Sequence, residues 1–350
     1  FIFNSEKDML ESFMTTMVNK DPDMLIAWFG NFADVPKLLD RVCKLGLNPL
    51  VMSPIASIKG VKKVEDGFRF AYAENGFSPI EQPIGGRITL SLETAFERQW
   101  NDSQRGTLPS LSLDYIGETV LGKNKLESEK FADKNEFYRK GWLQDTETYL
   151  QYALKDVELI VEIDETNFCS EAILSLQRLL KAPFDACFYA SHMGSIYFMR
   201  NAWWKAPTGT KVEKRVTYEG AMIYDPLSEN TNGLHLGVAA FDYSGLYPSM
   251  IVARNISWET ISDEPTEFAV NILTPRDFSE TNREEMVYFK TDKLGLLPQA
   301  VLDLKELRTE YKNLMREARE TDNGEYAKWY NNQMAVKRLS ASFYGILAFQ

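Results

Sequence analysis

The sequence predicts a mixed chain of α/β and α+β character with more than one domain, and three observations predict it. Residues 1–60 alternate helix, strand and helix. A short apolar run ends in an acid and a small-residue turn between Leu236 and Ile251, which reads as strand, turn, helix. From Gly295 onward, two long helical patterns are joined by a polar turn. The length of 350 residues suits two or three domains, because single cores stop growing near about 250–300 residues.

Composition narrows the class. Hydrophobic residues make up 44% and charged residues 25%, enough apolar material for a packed core. No run of 18 apolar residues occurs, so a membrane span is not expected. Three cysteines, Cys43, Cys169 and Cys187, lack metal-ligand spacing and read as reduced thiols of a cytosol-like compartment. Only His192 and His235 are present, which argues against histidine triads and His-rich zinc sites. The net charge of −11 argues against a general basic footprint, although local charge matters more than the total. The chain starts at Phe1 without a signal peptide and reads as an internal fragment.

In order, Ser5 is the expected N-cap of a helix running to about Asn19, with Met9, Leu10, Phe13, Met14 and Met17 at helical spacing. Asp21-Pro22-Asp23 is a turn, and Met24 to Phe29 a short buried strand. Val35 to Cys43 is a second helix, and Asp34 just before it reads most simply as its cap. Gly86–Leu90 is a strand and Ser91–Gln99 a helix, followed by a polar loop at Asn101–Gly106. Leu111–Gly122 is amphipathic, with Leu113, Ile116, Val120 and Leu121 facing inward. Residues 123–140 are charged and expected to be exposed. Thr146–Ile163 is a strong helix. Tyr152 and Asp156 lie four apart on it, hence side by side, as a solvated surface or as a site. Leu174–Leu180 is helical, Ala202–Gly209 a linker, and Asp225–Gly233 a polar loop.

The apolar run Leu236–Phe241 ends at Asp242. Ser244-Gly245 follows, and Pro248 suits a first helical turn. A carboxylate held by a strand, beside exposed turn N–H groups and a helix N-terminus, is a place for a hard cation and phosphates, since Mg²⁺ takes carboxylate and phosphate oxygens. An ordinary strand-to-helix turn with a solvated aspartate reads equally from spacing. After Gly295-Leu-Leu-Pro298, a helix over about Gln299–Glu320 places Lys305, Arg308, Lys312, Arg316 and Arg319 on one stripe. Asp303, Glu306, Glu310 and Glu317 interleave, so a salt-bridged solvated face is the alternative to an anion site. Thr321–Gly324 ends that helix. A second helix, about Glu325–Tyr344, aligns Lys337, Ser340, Ala341 and Tyr344.

The pattern Asp242-Tyr-Ser-Gly-Leu-Tyr-Pro-Ser249 resembles motif A of family B DNA polymerases, the type found in T-even phages, archaea and eukaryotic replication, with Gly245 where a serine is usual. Pro22-Asp23…Phe32-Ala33-Asp34-Val35-Pro36 resembles the second motif of that family's 3′–5′ exonuclease domain, with Phe29 replacing an asparagine. Tyr152-Ala-Leu-Lys-Asp156 resembles its third motif, and Leu111–Leu126 the segment between them. Tyr218-Glu-Gly-Ala221 resembles the Tyr-x-Gly-Gly motif between editing and polymerising domains. Lys337-x-x-x-Ala341-Ser342-x-Tyr344-Gly345 resembles motif B, with Ala341 replacing an asparagine.

The resemblance implies a partial RNase H-like exonuclease domain over 1–185, a linker over 186–213, the first part of a palm over 214–294 and two antiparallel fingers helices over 295–350. It implies nucleotidyl transfer, in which a primer 3′-hydroxyl attacks the α-phosphate of a dNTP. Two Mg²⁺ ions would serve the polymerising site, with Asp242 and the Tyr243 carbonyl as ligands. Two more would serve the editing site of the complete protein, with Asp34 and Asp156 as ligands and Tyr152 positioning water. Ser244, Gly245 and Leu246 would line the phosphates, with N–H groups of Gly245 and Leu246 donating. Arg308, Lys312 and Lys337 would bind triphosphate oxygens. Tyr247 would stack under the sugar and exclude a 2′-hydroxyl, or else pack in the core. Ala341 and Tyr344 would lie near the nascent base pair.

The family's upstream Asp-x-Glu motif and its downstream Asp-Thr-Asp motif and thumb are not in the sequence. Implied partners are primer–template DNA, dNTPs, and a sliding clamp or complementary polymerase fragment. The implied location is the cytoplasm of a bacterial or archaeal cell or a virus-infected host, with a nuclear one also open. Two rivals stand beside the polymerase: a non-catalytic nucleic-acid-binding remnant, and one half of a split polymerase.

Overall fold

The structure, a computed structural model, describes residues 3–71, 77–78, 80–100, 107–126, 130–131, 133–201, 236–239, 241–243, 245–274, 283–322 and 324–348, with side chains outside that description at 271–274, 283–285 and 344–348. The chain forms two compact units, Phe1–Tyr189 and Ala190–Gln350.

The first unit opens with α1 (Glu6–Lys20), whose N-cap Ser5 accepts the Asp8 N–H at 3.1 Å. Leu10, Met14 and Met17 are buried, and Met9 and Phe13 are exposed. The buried Arg87 side chain holds the following turn. It donates to the carbonyls of Pro22 and Met52 and pairs with Asp21. The strand β1 (Met24–Ala27) is shorter than expected and only partly buried. Trp28 leaves it to donate to the Leu111 carbonyl at 2.9 Å.

Gly30–Asp34 is a single wide helical turn, with the Val35 N–H bonded to the Gly30 carbonyl, and it leads directly into α2 (Val35–Lys44). This corrects the cap reading of Asp34. Asp34 already has helical angles and makes no capping hydrogen bond, because the preceding turn supplies the carbonyl that a free helix start would lack.

A hairpin of β2 (Val61–Val64) and β3 (Gly67–Phe70) follows. Then β4 (Ile88–Ser91) pairs in parallel with β1, Met24 opposite Ile88. The core between these elements contains Leu39, Val42, Met52, Ile58 and Ile84.

The helices α3 (Leu92–Trp100), α4 (Leu113–Leu121), α5 (Lys134–Gln144), α6 (Thr146–Asn167) and α7 (Cys169–Leu180) complete the unit. Residues 123–140 are not uniformly exposed, contrary to expectation. Phe137 is buried against Tyr149 and Tyr152, because a large ring gains more from burial than its charged neighbours lose by flanking it.

The second unit contains α8 (Ala190–Asn201), α9 (Leu246–Ala253), α10 (Leu296–Thr321) and α11 (Tyr326–Ala348). Its sheet is antiparallel, β5 (Ile261–Ser262) and β6 (Phe268–Thr274) flanking β7 (Arg283–Phe289). The long helices α10 and α11 pack along each other, α8 packs on α11, and α9 touches both. Leu297, Val301 and Leu304 on α10 and Val336, Leu339 and Phe343 on α11 are buried. Phe343 lies 4.8 Å from Phe198 and 5.3 Å from Tyr197.

The expected strand Leu236–Phe241 does not form among the described residues. Leu236, Val238 and Phe241 are 87%, 73% and 95% exposed. An apolar run becomes a strand only when a neighbour completes its hydrogen bonds, and no described strand lies beside it. Helix α9 also starts two residues before Pro248. Gly245, at φ 71°, is its N-cap, and Pro248 falls within the first turn, where its missing N–H costs nothing. The linker at Ala202–Gly209, the segment Tyr218–Ala221 and the loops at Asn101–Gly106 and Asp225–Gly233 lie outside the described residues.

Candidate nucleotide and editing sites

The start of α10 is built by one strand-free stretch before the sheet. Asn255, buried and at φ 52°, donates to the carbonyls of Lys290 at 2.7 Å and Lys293 at 2.9 Å and accepts the Gly295 N–H at 2.8 Å. Ser257 accepts the Leu297 N–H, and Glu259 accepts the Leu296 N–H. The first turn of α10 is thus filled by a carboxylate. A phosphate has no place there, although a cleft lined by Lys290, Lys293 and Gln299 adjoins it.

Further along, the stripe of cations does not form a salt-bridged face. Among the described residues, no carboxylate lies within ion-pair distance of Arg308, Lys312, Arg316 or Lys337. The helical period carries Glu306, Glu310 and Glu317 to the other side of α10. Arg308 is half-buried and donates to Gln333 of α11 at 3.4 Å. Burial lowers the pKa of Arg308 from its ordinary value, the signature of a charge removed from water without a counter-ion. The ammonium of Lys312 is held below the usual lysine range first by the neighbouring Arg308, then by burial, Arg316 and Lys337. Four like charges thus lie near one another with no carboxylate partner among the described residues. Gln333, which begins the stretch that resembles the family's fingers but was given no role from sequence, accepts from Arg308. Its position four residues before Lys337 is the only local signal.

Asp242, Tyr243, Gly245 and Leu246 are all exposed, and Tyr247 is 52% exposed. Ala341 is exposed on α11 beside Lys337's turn. Ser244 lies outside the described residues, as does the side chain of Tyr344 within α11.

In the first unit, Asp34 is at the surface, yet crowding by surrounding protein raises its carboxyl, opposed by Lys37. Its turn is anchored by buried Asn31, whose N–H donates to Ser91 at 3.0 Å and whose amide donates to the Glu81 carbonyl. Tyr152 and Asp156 are brought together as expected, but with company. Lys125 pairs with Asp156 at 2.8 Å and contacts the Tyr152 hydroxyl at 3.3 Å. The Tyr138 and Tyr152 hydroxyls are 2.9 Å apart. Burial, then the Tyr138 hydrogen bond and the Asp156 charge, raise the Tyr152 phenol far above its usual range. Lys125 falls in the 123–140 run expected to be exposed, and is instead mostly buried against these groups.

The described residues do not complete a metal centre. No group of three or more His, Cys, Asp or Glu side chains among them is placed to hold an ion. Asp242 is a single exposed carboxylate, and Asp156 already has an ammonium beside it.

Comparisons with known proteins agree with one another. The model of DNA polymerase family B matches residues 190–350, and the model of the family B exonuclease domain matches residues 1–116. DNA polymerase 1 of Pyrococcus abyssi is 26% identical over 361 residues, covering 99% of this chain and 41% of that protein. The DNA polymerase delta catalytic subunit of Schizosaccharomyces pombe is 25% identical over 352 residues, covering 98% of this chain and 31% of that protein. The structure of the family B DNA polymerase from Pyrobaculum calidifontis superposes with a TM-score of 0.64 at 17% identity, over 99% of this chain and 42% of that one. The chain therefore spans less than half the length of these relatives. No helix among the described residues is long and apolar enough to cross a membrane.

Proposed function

From the premise that the chain belongs to DNA polymerase family B, we propose that its second unit binds the triphosphate of an incoming dNTP between α10 and α11. The observation that carries this reading is the convergence of Arg308, Lys312 and Lys337 with no carboxylate among the described residues to neutralise them. In this reading α10 and α11 are the fingers over 295–350, and residues 214–294 are the first part of the palm. An RNase H-like exonuclease domain occupies 1–185, with a linker over 186–213. Arg308, positioned by Gln333, and Lys337 donate to phosphate oxygens, with Lys312 between them. Gly245 and Leu246 offer N–H groups at the start of α9. Tyr247, exposed and preceding Pro248, forms a wall under the sugar. Its backbone is restricted by that proline, which directs the ring. Ala341 presents no amide, so the base pair is shaped by packing there, with Tyr344 beside it.

Mg²⁺, when bound, neutralises phosphate charge and activates the attacking hydroxyl. The described residues supply Asp242 alone at this centre, so the chain's own contribution is to gather and orient the triphosphate. The substrates of the complete polymerase are primer–template DNA and dNTPs, in a cytoplasmic or virus-infected compartment, with a clamp or complementary fragment as further partners.

The test is titration of the purified chain with dATP, followed by calorimetry. Arg308→Ala and Lys337→Ala each weaken binding roughly ten- to a hundredfold, because a hydrogen bond to a charged group contributes about 1.5–3 kcal/mol. Unchanged affinity in both variants overturns the reading.

One observation favours a second reading for the first unit. Lys125 holds Asp156 where the editing reading places a cation, which suits a domain that binds a single strand without cutting it. Mg²⁺-dependent shortening of a 5′-labelled oligonucleotide, abolished in Asp156→Ala, decides against that second reading.

A further inference from the structure

The cationic cluster is one residue larger than the family motifs assign. Arg308, Lys312 and Arg316 recur every four residues on α10. At 1.5 Å per residue their anchor points climb the helix in steps of about 6 Å. Arg316 is exposed, and its nearest polar neighbour is Asn313 at 3.4 Å, a neutral side chain. It has no carboxylate partner among the described residues: the helical period turns Glu317 aside, and Glu320, one turn further along the same side, does not reach ion-pair distance. Arg319 continues the stripe but does not join the group acting on Lys312, which is limited to Arg308, Arg316 and Lys337.

We propose that Arg316 is a fourth phosphate-binding residue of the α10–α11 site, holding the terminal phosphate of a polyphosphate whose inner phosphates lie against Arg308, Lys312 and Lys337. This rests on the reading of that site as a triphosphate site and extends it by one helical turn. Two features support it. A triphosphate carries about four negative charges, and four cations match it where three leave it under-neutralised. The guanidinium also presents a flat fork suited to a terminal phosphate, from an exposed position on α10. A long polyanion should therefore gain from Arg316, and a short one should not.

The experiment uses the whole chain and three probes: inorganic tripolyphosphate, pyrophosphate and orthophosphate, titrated at low and at moderate ionic strength. Arg316→Gln is expected to weaken tripolyphosphate roughly three- to fivefold at low salt, the scale of a solvent-exposed charge contact. The loss shrinks as salt rises, orthophosphate is unaffected, and Arg316→Lys restores part of the loss. An NMR titration of Lys312 supplies a readout that a merely structural arginine would not move. The Lys312 ammonium titrates at higher pH in Arg316→Gln, with far-UV circular dichroism unchanged. Wild-type affinity for tripolyphosphate in Arg316→Gln, while Arg308→Gln is weakened, overturns the role of Arg316 and leaves the triphosphate site standing. An equal loss in Arg319→Gln reduces the effect to general helix charge and also overturns it. Wild-type affinity in both Arg308→Gln and Lys337→Gln overturns the triphosphate site, and the role of Arg316 with it.

Discussion

Replacing Asn255 by alanine should detach the start of α10. The side chain bridges three backbone groups that no neighbour replaces: the carbonyls of Lys290 and Lys293 and the N–H of Gly295. Gly295 is buried, so its N–H loses its partner out of reach of water, at about 1–3 kcal/mol. Lys290 and Lys293 are exposed, so their carbonyls recover part of the loss by hydration, leaving about 0.5–1.5 kcal/mol each. Alanine also bears the left-handed conformation at φ 52° worse than asparagine, by about 1 kcal/mol. The expected destabilisation is about 3–7 kcal/mol, enough to remove much of a typical domain's stability. Urea unfolding measures it, followed by tryptophan fluorescence with Trp258 and Trp329 as reporters in this unit. Asn255→Gly should recover about 1 kcal/mol of the loss, since it relieves only the backbone conformation. Asn255→Asp should not recover stability, because it sets a carboxylate against two carbonyls. A loss below about 1 kcal/mol in Asn255→Ala would refute the bridge as the element that fixes α10.

Other outcomes follow from the same contacts. Gly295→Ala places a methyl 2.7 Å from the Ser257 Cβ and 2.9 Å from the Thr260 Cγ2, and should lower stability by about 1–3 kcal/mol in the same urea series. Burial, aided by Asp185, pushes the Cys187 thiol up to about 12. Because the thiolate is the reactive form, iodoacetamide at pH 8 should leave Cys187 unmodified until the chain is unfolded, as peptide mapping would show. Tyr247→Ala removes a half-exposed ring and should change stability by less than about 1 kcal/mol. In a complete polymerase it should raise ribonucleotide incorporation relative to deoxyribonucleotide, and an unchanged ratio removes the gate. Lys312 binds an anion only when protonated, and its cationic neighbours lower its pKa. Tripolyphosphate affinity should therefore be full at neutral pH and fall as pH rises, beginning below the ordinary lysine range, with proton uptake on binding measurable in buffers of different ionisation enthalpy.

Much of this protein is written locally. The helices α1, α6, α10 and α11 follow from apolar spacing, Ser5 from its capping chemistry, and the family from contiguous patterns such as Asp242–Ser249. Each of these depends on residues within a turn or two of one another, where a helix satisfies its own hydrogen bonds. Tertiary structure decided whatever needed a distant partner. The apolar run at Leu236–Phe241 has strand-like residues, but a strand borrows its hydrogen bonds from elsewhere, and none of the described strands provides them. Lys125 reads as one more charge in a charged stretch until the fold brings Asp156, 31 residues away, to its ammonium. The stripe on α10 was equally a salt-bridged face or an anion site. Only the fold shows that the described carboxylates leave these cations unpaired and that Lys337 arrives beside them from α11. Asn255 carries no signal at all in sequence, because its three partners lie 35 to 40 residues downstream. Local periodicity selects the elements, and long-range pairing of buried polar groups selects the site, since only the folded chain determines which donor or charge is left without a partner.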